Sequence, residues 1–251
     1  MNAMIFAAGL GTRLRPLTND RPKALVEVNG KTLLEHNIQK LKKAGFDRIV
    51  VNIHHFGEQI VEFLSAHDNF GIDIRVSDER QLLLDTGGGI KHAIPLFDQT
   101  RPILIHNVDI ISDIDLRNLY VKHLDNASMH DGASPSGATL AVHQRKTSRY
   151  LQFTDDMRLC GWTNVKTGEV KGELGEAFAF AGIHVVDPSL LPYLLAQYAD
   201  VFSIIDFYLK VCNEIAIAGA DVTGREWVDC GKPEALAKAA QLTSNNLKKL
   251  I

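Results

Sequence analysis

Gly9-Leu10-Gly11-Thr12-Arg13 follows directly on the apolar run Ala3 to Ala8. With no Cβ at Gly9 and Gly11, backbone N–H groups along this loop can approach phosphate oxygens closely. Arg13 adds a planar fork of donors, and Lys23, after Pro22, adds a movable point charge. Arg15 and Arg21 lie between them, and cations grouped this way suit the charge of a triphosphate. Two better-known phosphate motifs are excluded. A P-loop needs Gly-Lys-Ser/Thr at the helix start, which is absent. A dinucleotide fingerprint needs a further glycine where Leu14 stands. A surface loop with solvated cations is the alternative reading of the same residues.

Two more features carry chemistry. Gly87-Gly88-Gly89 sits between the apolar Leu82 to Leu84 and a helical pattern. Consecutive glycines cost conformational entropy, so they point to a flat ligand or a close backbone approach, the alternative being a plain helix-entry turn. Asp109 closes the strand that begins at Ile103. A carboxylate at the carboxyl end of a strand, beside a phosphate loop, is placed to hold Mg²⁺. Asp113 and Asp115 read as helix-capping or loop residues, and His54, His55 and His106 as structural.

The elements that must position these residues are legible as alternation. Ala3–Ala8, Arg48–Ile53, Ile72–Val76 and Ile103–Ile105 read as strands. Between them, Leu33, Leu34, Ile38 and Leu41 repeat at helical spacing behind the capping box Thr32/Glu35, with Gly45 as the stop. Ile60 to Leu64 marks a second helix, and the triple glycine opens a third running to about Phe97. Such alternation predicts an α/β protein with a parallel sheet covered on both faces. Beyond about residue 130 the pattern changes. A small-residue loop, Asp131–Gly137, precedes strands at Thr139–Val142, Leu151–Thr154, Leu159–Trp162 and Phe178–Val186. Helices follow at Leu190–Gln197 and Ile204–Glu214, then a short strand at Glu226–Asp229 and a helix from Pro233 to about Leu247, with a fraying tail to Ile251.

Composition narrows the partners. The chain has 251 residues and a formal net charge of −3, which argues against a nucleic-acid polymer. No apolar run reaches membrane-spanning length, and the N-terminus lacks a secretory pattern. Cys160, Cys212 and Cys230 are odd in number and widely spaced, which fits reduced thiols in the cytoplasm rather than a disulfide framework or zinc site. A homo-oligomer is compatible with all of this.

Phe6 to Thr18 followed by Pro22-Lys23, and the continuation Val28 to His36, resemble the signature of the sugar-1-phosphate nucleotidyltransferases. The likeness recurs near residues 86–90, 107–109 and 227–231, so it spans most of the chain. It implies a Rossmann-like three-layer sandwich with a mostly parallel mixed central sheet, the nucleotide-diphospho-sugar transferase fold. One domain is expected over 1–251: a nucleotide-binding half to about 130, a sugar-binding half from about 131, and no C-terminal acyltransferase repeat domain. The implied reaction joins an NTP and a sugar 1-phosphate into an NDP-sugar and pyrophosphate. The run Thr86-Gly87-Gly88-Gly89-Ile90 is most similar to N-acetylmuramate-1-phosphate uridylyltransferases, which favours UTP. Mannose- or heptose-1-phosphate guanylyltransferases are the alternative, with GTP.

By the same resemblance, Arg13 and Lys23 are the catalytic cations. Ala8, Gly9, Gly11, Thr12, Gly87, Gly88 and Asn107 belong to the nucleotide site. Asp229, in Trp227-Val228-Asp229-Cys230-Gly231, supplies a second Mg²⁺ carboxylate beside Asp109, with Cys230 a small buried neighbour. Gly182 resembles a glycine that approaches the sugar. Relatives commonly have glycine where Val108 stands, and the Glu-Lys-Pro element carrying a sugar-phosphate lysine is absent. Arg149 is therefore the candidate for the acceptor phosphate. A non-catalytic NDP-sugar sensor would lack reason to keep Arg13, Lys23, Asp109 and Asp229. A nicotinamide-dependent dehydrogenase is disfavoured by the missing third glycine.

Overall fold

A computed structural model describes residues 1–128 and 136–248. Most of the small-residue stretch 131–137 and the tail end 249–251 lie outside the described residues. The first half runs β1 (Asn2–Phe6), β2 (Glu27–Val28), β3 (Lys31–Thr32), α1 (Leu33–Lys43), β4 (Arg48–Ile53), α2 (Gly57–Ala66), β5 (Asp73–Asp78) and α3 (Asp85–Ala93), then β6 (Ile103–Asn107), β7 (Ile110–Ser112) and α4 (Leu116–Ser128). The capping box is in place: Thr32 Oγ1 accepts from the Glu35 backbone N–H at 3.0 Å, and Gly45 leaves the helix at φ +92°.

The second half runs β8 (Ser136–His143), β9 (Arg149–Phe153), β10 (Leu159–Asn164), β11 (Glu169–Gly172), β12 (Glu176–Val186), α5 (Leu191–Leu195), α6 (Ile204–Val211), β13 (Ala216–Asp221), β14 (Trp227–Asp229) and α7 (Pro233–Lys248). Ten strands form one sheet. Its parallel core is β6-β1-β4-β5, and β12 joins β6 antiparallel. On β12, the Glu176–Phe178 end pairs with β9 and the remainder with β8, whose other edge takes β13 in parallel. The mixed, mostly parallel centre agrees with the expected architecture.

Alternation within the strands makes the three layers. Ala3 and Ile5 of β1, with Ile49, Val51 and Ile53 of β4, pack on α1, α2, α4 and α7. Met4 and Val50 point the other way, into α3, α5 and α6. Each central strand is thus buried on both faces, as parallel strands between helical layers must be. Among the described residues, the longer elements α4, β11 and β13 had no counterpart in the periodicity, nor had the short strands β2, β3 and β7. Asp115 nevertheless does the capping expected of it, its Oδ1 accepting from Asn118 N at 2.9 Å.

Candidate active site

The cleft lies where β1 and β6 end. Past Phe6, the Ala7 and Ala8 N–H groups both donate to Asn52 Oδ1, at 2.7 and 3.3 Å, so the last residues of β4 fix where the first glycine loop begins. Gly11 adopts φ +66°, and Thr18 Oγ1 donates to its carbonyl at 2.9 Å. Leu14 is fully buried and pins the loop to the core, while Leu10, Arg15 and Arg21 stay exposed. Among the described residues, Arg21 pairs only with its neighbour Asp20. The four cations therefore divide: Lys23 is half-buried, Arg13 is exposed but reaches across to Gly231, and the other two do neither.

Lys23 opens a single 3-10 turn behind Pro22. Its Nζ bonds Asp109 Oδ2 at 2.7 Å and lies 3.7 Å from where a methyl group on Gly9 would sit. A methyl at position 9 would thus be in ordinary contact with the ammonium. Asp109 is 7% exposed, and its carbonyl accepts from Cys230 N at 2.7 Å. That bond extends the antiparallel pairing of β7 with β14, in which Asp229 stands opposite Ile110. The 120-residue gap between the two aspartates is closed by this small sheet. Asp229 Oδ1 accepts from Gly231 N at 2.7 Å. A methyl on Gly231 would lie 2.8 Å from Arg13 Nη2 and 2.8 Å from Asp229 Oδ1, so the guanidinium and the carboxylate flank one bare glycine. Burial pushes the Cys230 thiol up to about 12, and a thiol is in any case too soft a donor for Mg²⁺.

Val108 has a simple packing reason. Its side chain is fully buried in the core under the cleft, and its carbonyl accepts from Asn37 Nδ2 at 2.9 Å. Asn107 lies against Gly182, where a methyl would come 2.9 Å from Asn107 Nδ2; Gly182 itself sits at φ +75° within the register shift of β12. His106 is buried, with its Nδ1 against the Asn107 carbonyl at 2.9 Å, and burial lowers its pKa to about 3.

Gly87, Gly88 and Gly89 are buried in the first turn of α3, and each meets a different neighbour. The Gly87 and Gly88 N–H groups donate to the Phe202 carbonyl at 2.8 and 3.3 Å. A methyl at Gly87 would overlap the Phe202 ring, and one at Gly88 the Asp200 carbonyl. A methyl at Gly89 would come 2.9 Å from Glu79 Oε1. The close approach inferred from three glycines is therefore made, at these backbone faces, by the protein's own segment 200–202. An open cavity of about 830 Å³ adjoins this turn, lined among others by Glu79, Gln81, Leu84 and Gly88.

Sequence reasoning missed Asn52 and Glu79. Asn52 Nδ2 donates to Glu79 Oε1 at 2.7 Å, and Glu79 Oε2 accepts from Leu84 N at 3.2 Å. Burial raises the Glu79 pKa. The available signal was a polar residue at the carboxyl end of an apolar strand. Arg145 was also missed. It is half-buried between β8 and β9, with its guanidinium carbon 4.3 Å from the Trp227 ring centroid. Arg149 opens β9 opposite Asn164 and is exposed.

The sequence profile of the nucleotidyl transferase family matches residues 2–246. N-acetylmuramate α-1-phosphate uridylyltransferase of Caulobacter vibrioides is 34% identical over 248 residues, covering 96% of each chain. UTP–glucose-1-phosphate uridylyltransferase of Synechocystis is 30% identical, over 92% of this chain and 60% of that one. Among solved structures, HddC from Yersinia pseudotuberculosis with GMP-PN has a TM-score of 0.73 at 21% identity, over 96% of this chain and 99% of that one, a likeness of fold.

Proposed function

Because the chain belongs to the nucleotidyl transferase family, we propose that it transfers the uridylyl group of UTP to a sugar 1-phosphate, yielding a UDP-sugar and pyrophosphate. The observation carrying the chemistry is the paired arrangement at the strand ends: Lys23 on Asp109 over Gly9, and Arg13 beside Asp229 over Gly231. The choice of UTP, and of an N-acetylmuramate-like acceptor, rests on similarity to the Caulobacter relative. The reaction is assigned to the cytoplasm, in keeping with three unpaired cysteines.

An oxygen of the acceptor phosphate attacks the α-phosphorus in line. The bond to the β-phosphate oxygen breaks, and pyrophosphate departs with the electron pair. That oxygen is already ionised near neutral pH, so no general base is needed, and none of the histidines is assigned one. Both reactants are anions, so the protein's work is neutralisation and alignment. Arg13 presents its fork to the phosphates, and Lys23 exchanges Asp109 for a phosphate oxygen as the nucleotide settles on Gly9 and Gly11. The Ala8–Thr12 backbone lines the triphosphate, Gly87 and Gly88 the base edge, and Asn107 and Gly182 the nucleotide and sugar on the β6 side.

Asp109 and Asp229 would hold Mg²⁺. Their hard oxygen donors fit that ion, and the ammonium now on Asp109 marks the carboxylate as a cation site. Two carboxylates from protein would leave the remaining positions of an octahedral ion to phosphates and water. When bound, the ion would supply charge neutralisation across the reacting phosphates.

The test is a matrix of four NTPs against a panel of sugar 1-phosphates and phosphocholine, scored by pyrophosphate release. Acceptor-dependent release with UTP is expected. Release confined to GTP with mannose or heptose 1-phosphate would shift the base assignment, and no acceptor-dependent release would overturn the reaction.

A further inference from the structure

We infer that Arg145 is the residue that grips the acceptor's phosphate group, a role that rests on the transfer reaction proposed above. Three contacts place it. Its guanidinium lies over Trp227, and its Nη2 donates to the Phe180 carbonyl at 3.2 Å. Trp227 in turn donates from Nε1 to the Ala181 carbonyl at 2.8 Å. Arg145 is thereby tied to the β12 stretch that breaks register at Gly182, the glycine lying against Asn107. Trp227 and Asp229 are two residues apart on β14, so their side chains share a face. A guanidinium lying over Trp227 therefore stands on the Asp229 side of that strand, where the charge of that carboxylate acts on it.

The surroundings leave its charge available. Among the described residues the guanidinium forms no ion pair, and its Nε is enclosed without a hydrogen-bond partner. A half-buried cation with an indole face, one carbonyl and no carboxylate in direct contact is only partly compensated, Asp229 acting on it from a distance. A phosphate dianion offers what is missing: a charge and two oxygens matched to the fork. The indole face holds the guanidinium in place before the ligand arrives. Arg149 has neither the platform nor the enclosure; it is exposed at the start of β9. Arg145 lies four residues earlier, on the connection between β8 and β9, which Thr147 N closes on the Tyr150 hydroxyl at 3.0 Å. The acceptor phosphate would thus rest between Arg145 and the Asp229 side of the cleft, with Gly182 leaving space for the sugar.

The experiment compares wild type with Arg145→Met, Arg145→Lys and Arg149→Ala. Methionine keeps an unbranched chain over Trp227 but removes the fork. With N-acetylmuramate α-1-phosphate as acceptor, Arg145→Met should raise the acceptor KM about 10- to 100-fold, the loss of a charge-assisted contact. The UTP KM should move less than about twofold, since that binding is not touched. Arg145→Lys should show a smaller rise than Arg145→Met, and Arg149→Ala should leave the acceptor KM within about twofold of wild type. Calorimetric titration with the same acceptor, and with unphosphorylated N-acetylmuramate as control, should show affinity lost only for the phosphorylated sugar. Thermal melts within a few degrees of wild type keep the variants comparable. An unchanged acceptor KM in Arg145→Met, with wild-type turnover present, overturns this inference and leaves the reaction standing. Absent wild-type turnover with every acceptor overturns the reaction; the titration then decides Arg145 alone, and equal affinity in wild type and Arg145→Met counts against it.

Discussion

Replacing Asp109 separates what the Lys23–Asp109 pair does for folding from what it does for chemistry. The two groups are 2.7 Å apart, with side chains only 15% and 10% exposed. Asp109→Ala leaves the Lys23 ammonium in a poorly hydrated place without its counter-charge, a loss of about 3–5 kcal/mol for a buried pair broken on one side. In a protein of this length that lowers the melting temperature by about 6–15 °C. Lys23→Met added to Asp109→Ala removes the stranded charge and should return most of that stability, because an apolar replacement of a whole buried pair is close to neutral. Turnover should not return. Both groups are assigned to the reacting phosphates, so the double variant should remain down by orders of magnitude. Urea denaturation at fixed pH, analysed for midpoint and slope, gives the first quantity, and pyrophosphate release gives the second. A loss below about 1 kcal/mol in Asp109→Ala would show that water screens the pair. A double variant with restored turnover would refute the catalytic assignment of both residues.

Other outcomes follow from single contacts. Gly88→Ala drives a methyl into the Asp200 carbonyl, so it should cost about 1–3 kcal/mol in urea denaturation and loosen segment 200–202 to hydrogen exchange. Val108→Gly, although it creates the residue common among relatives, empties a filled core position and should cost about 2–3 kcal/mol without raising turnover. His184 is fully buried without a hydrogen bond, and burial lowers its pKa to about 3. The unfolded chain then binds the extra proton between pH 6.5 and 3, so His184 alone makes stability fall with acidification by about 1.4 kcal/mol per pH unit in that window, beside a like contribution from buried His106. His184→Phe should reduce the slope by about that amount in denaturation curves recorded from pH 7 to 5. An unchanged slope would mean that the imidazole is already protonated in the fold.

How far the molecule could be read from its sequence varies by region for physical reasons. The β1, β4 and β6 strands and α1 were legible because parallel strands buried on both faces are continuous apolar runs and because Thr32 and Glu35 form a local cap. By contrast, β13 was hidden: Ala216, Ala218, Gly219 and Ala220 carry little side-chain signal, and the strand exists because β8 offers it an edge. Lys23 and Asp109 were named as separate features, and only the fold brings them to 2.7 Å. Arg145 was not legible as a site residue, because sequence has no means of showing that Trp227, more than 80 residues on, lies beneath it.

The two glycine loops are also one device rather than two. Asn52 accepts from the N–H groups that begin the first loop and donates to Glu79, which accepts from Leu84 just before the second. Gly89 leaves room for that same carboxylate, and Gly87 and Gly88 lock the turn onto segment 200–202. A buried polar chain satisfied at every link is stiff, since displacing one member leaves its neighbours unpaired in a medium without water. The spacing between the loop for the phosphates and the turn assigned to the base is therefore set by the ends of β4 and β5, not by either loop. On this reading the conformational cost of three successive glycines is met by the protein's own packing before any nucleotide arrives. A nucleotide then meets two surfaces already held at a fixed separation, and its binding energy is left for aligning the phosphates rather than for ordering the chain.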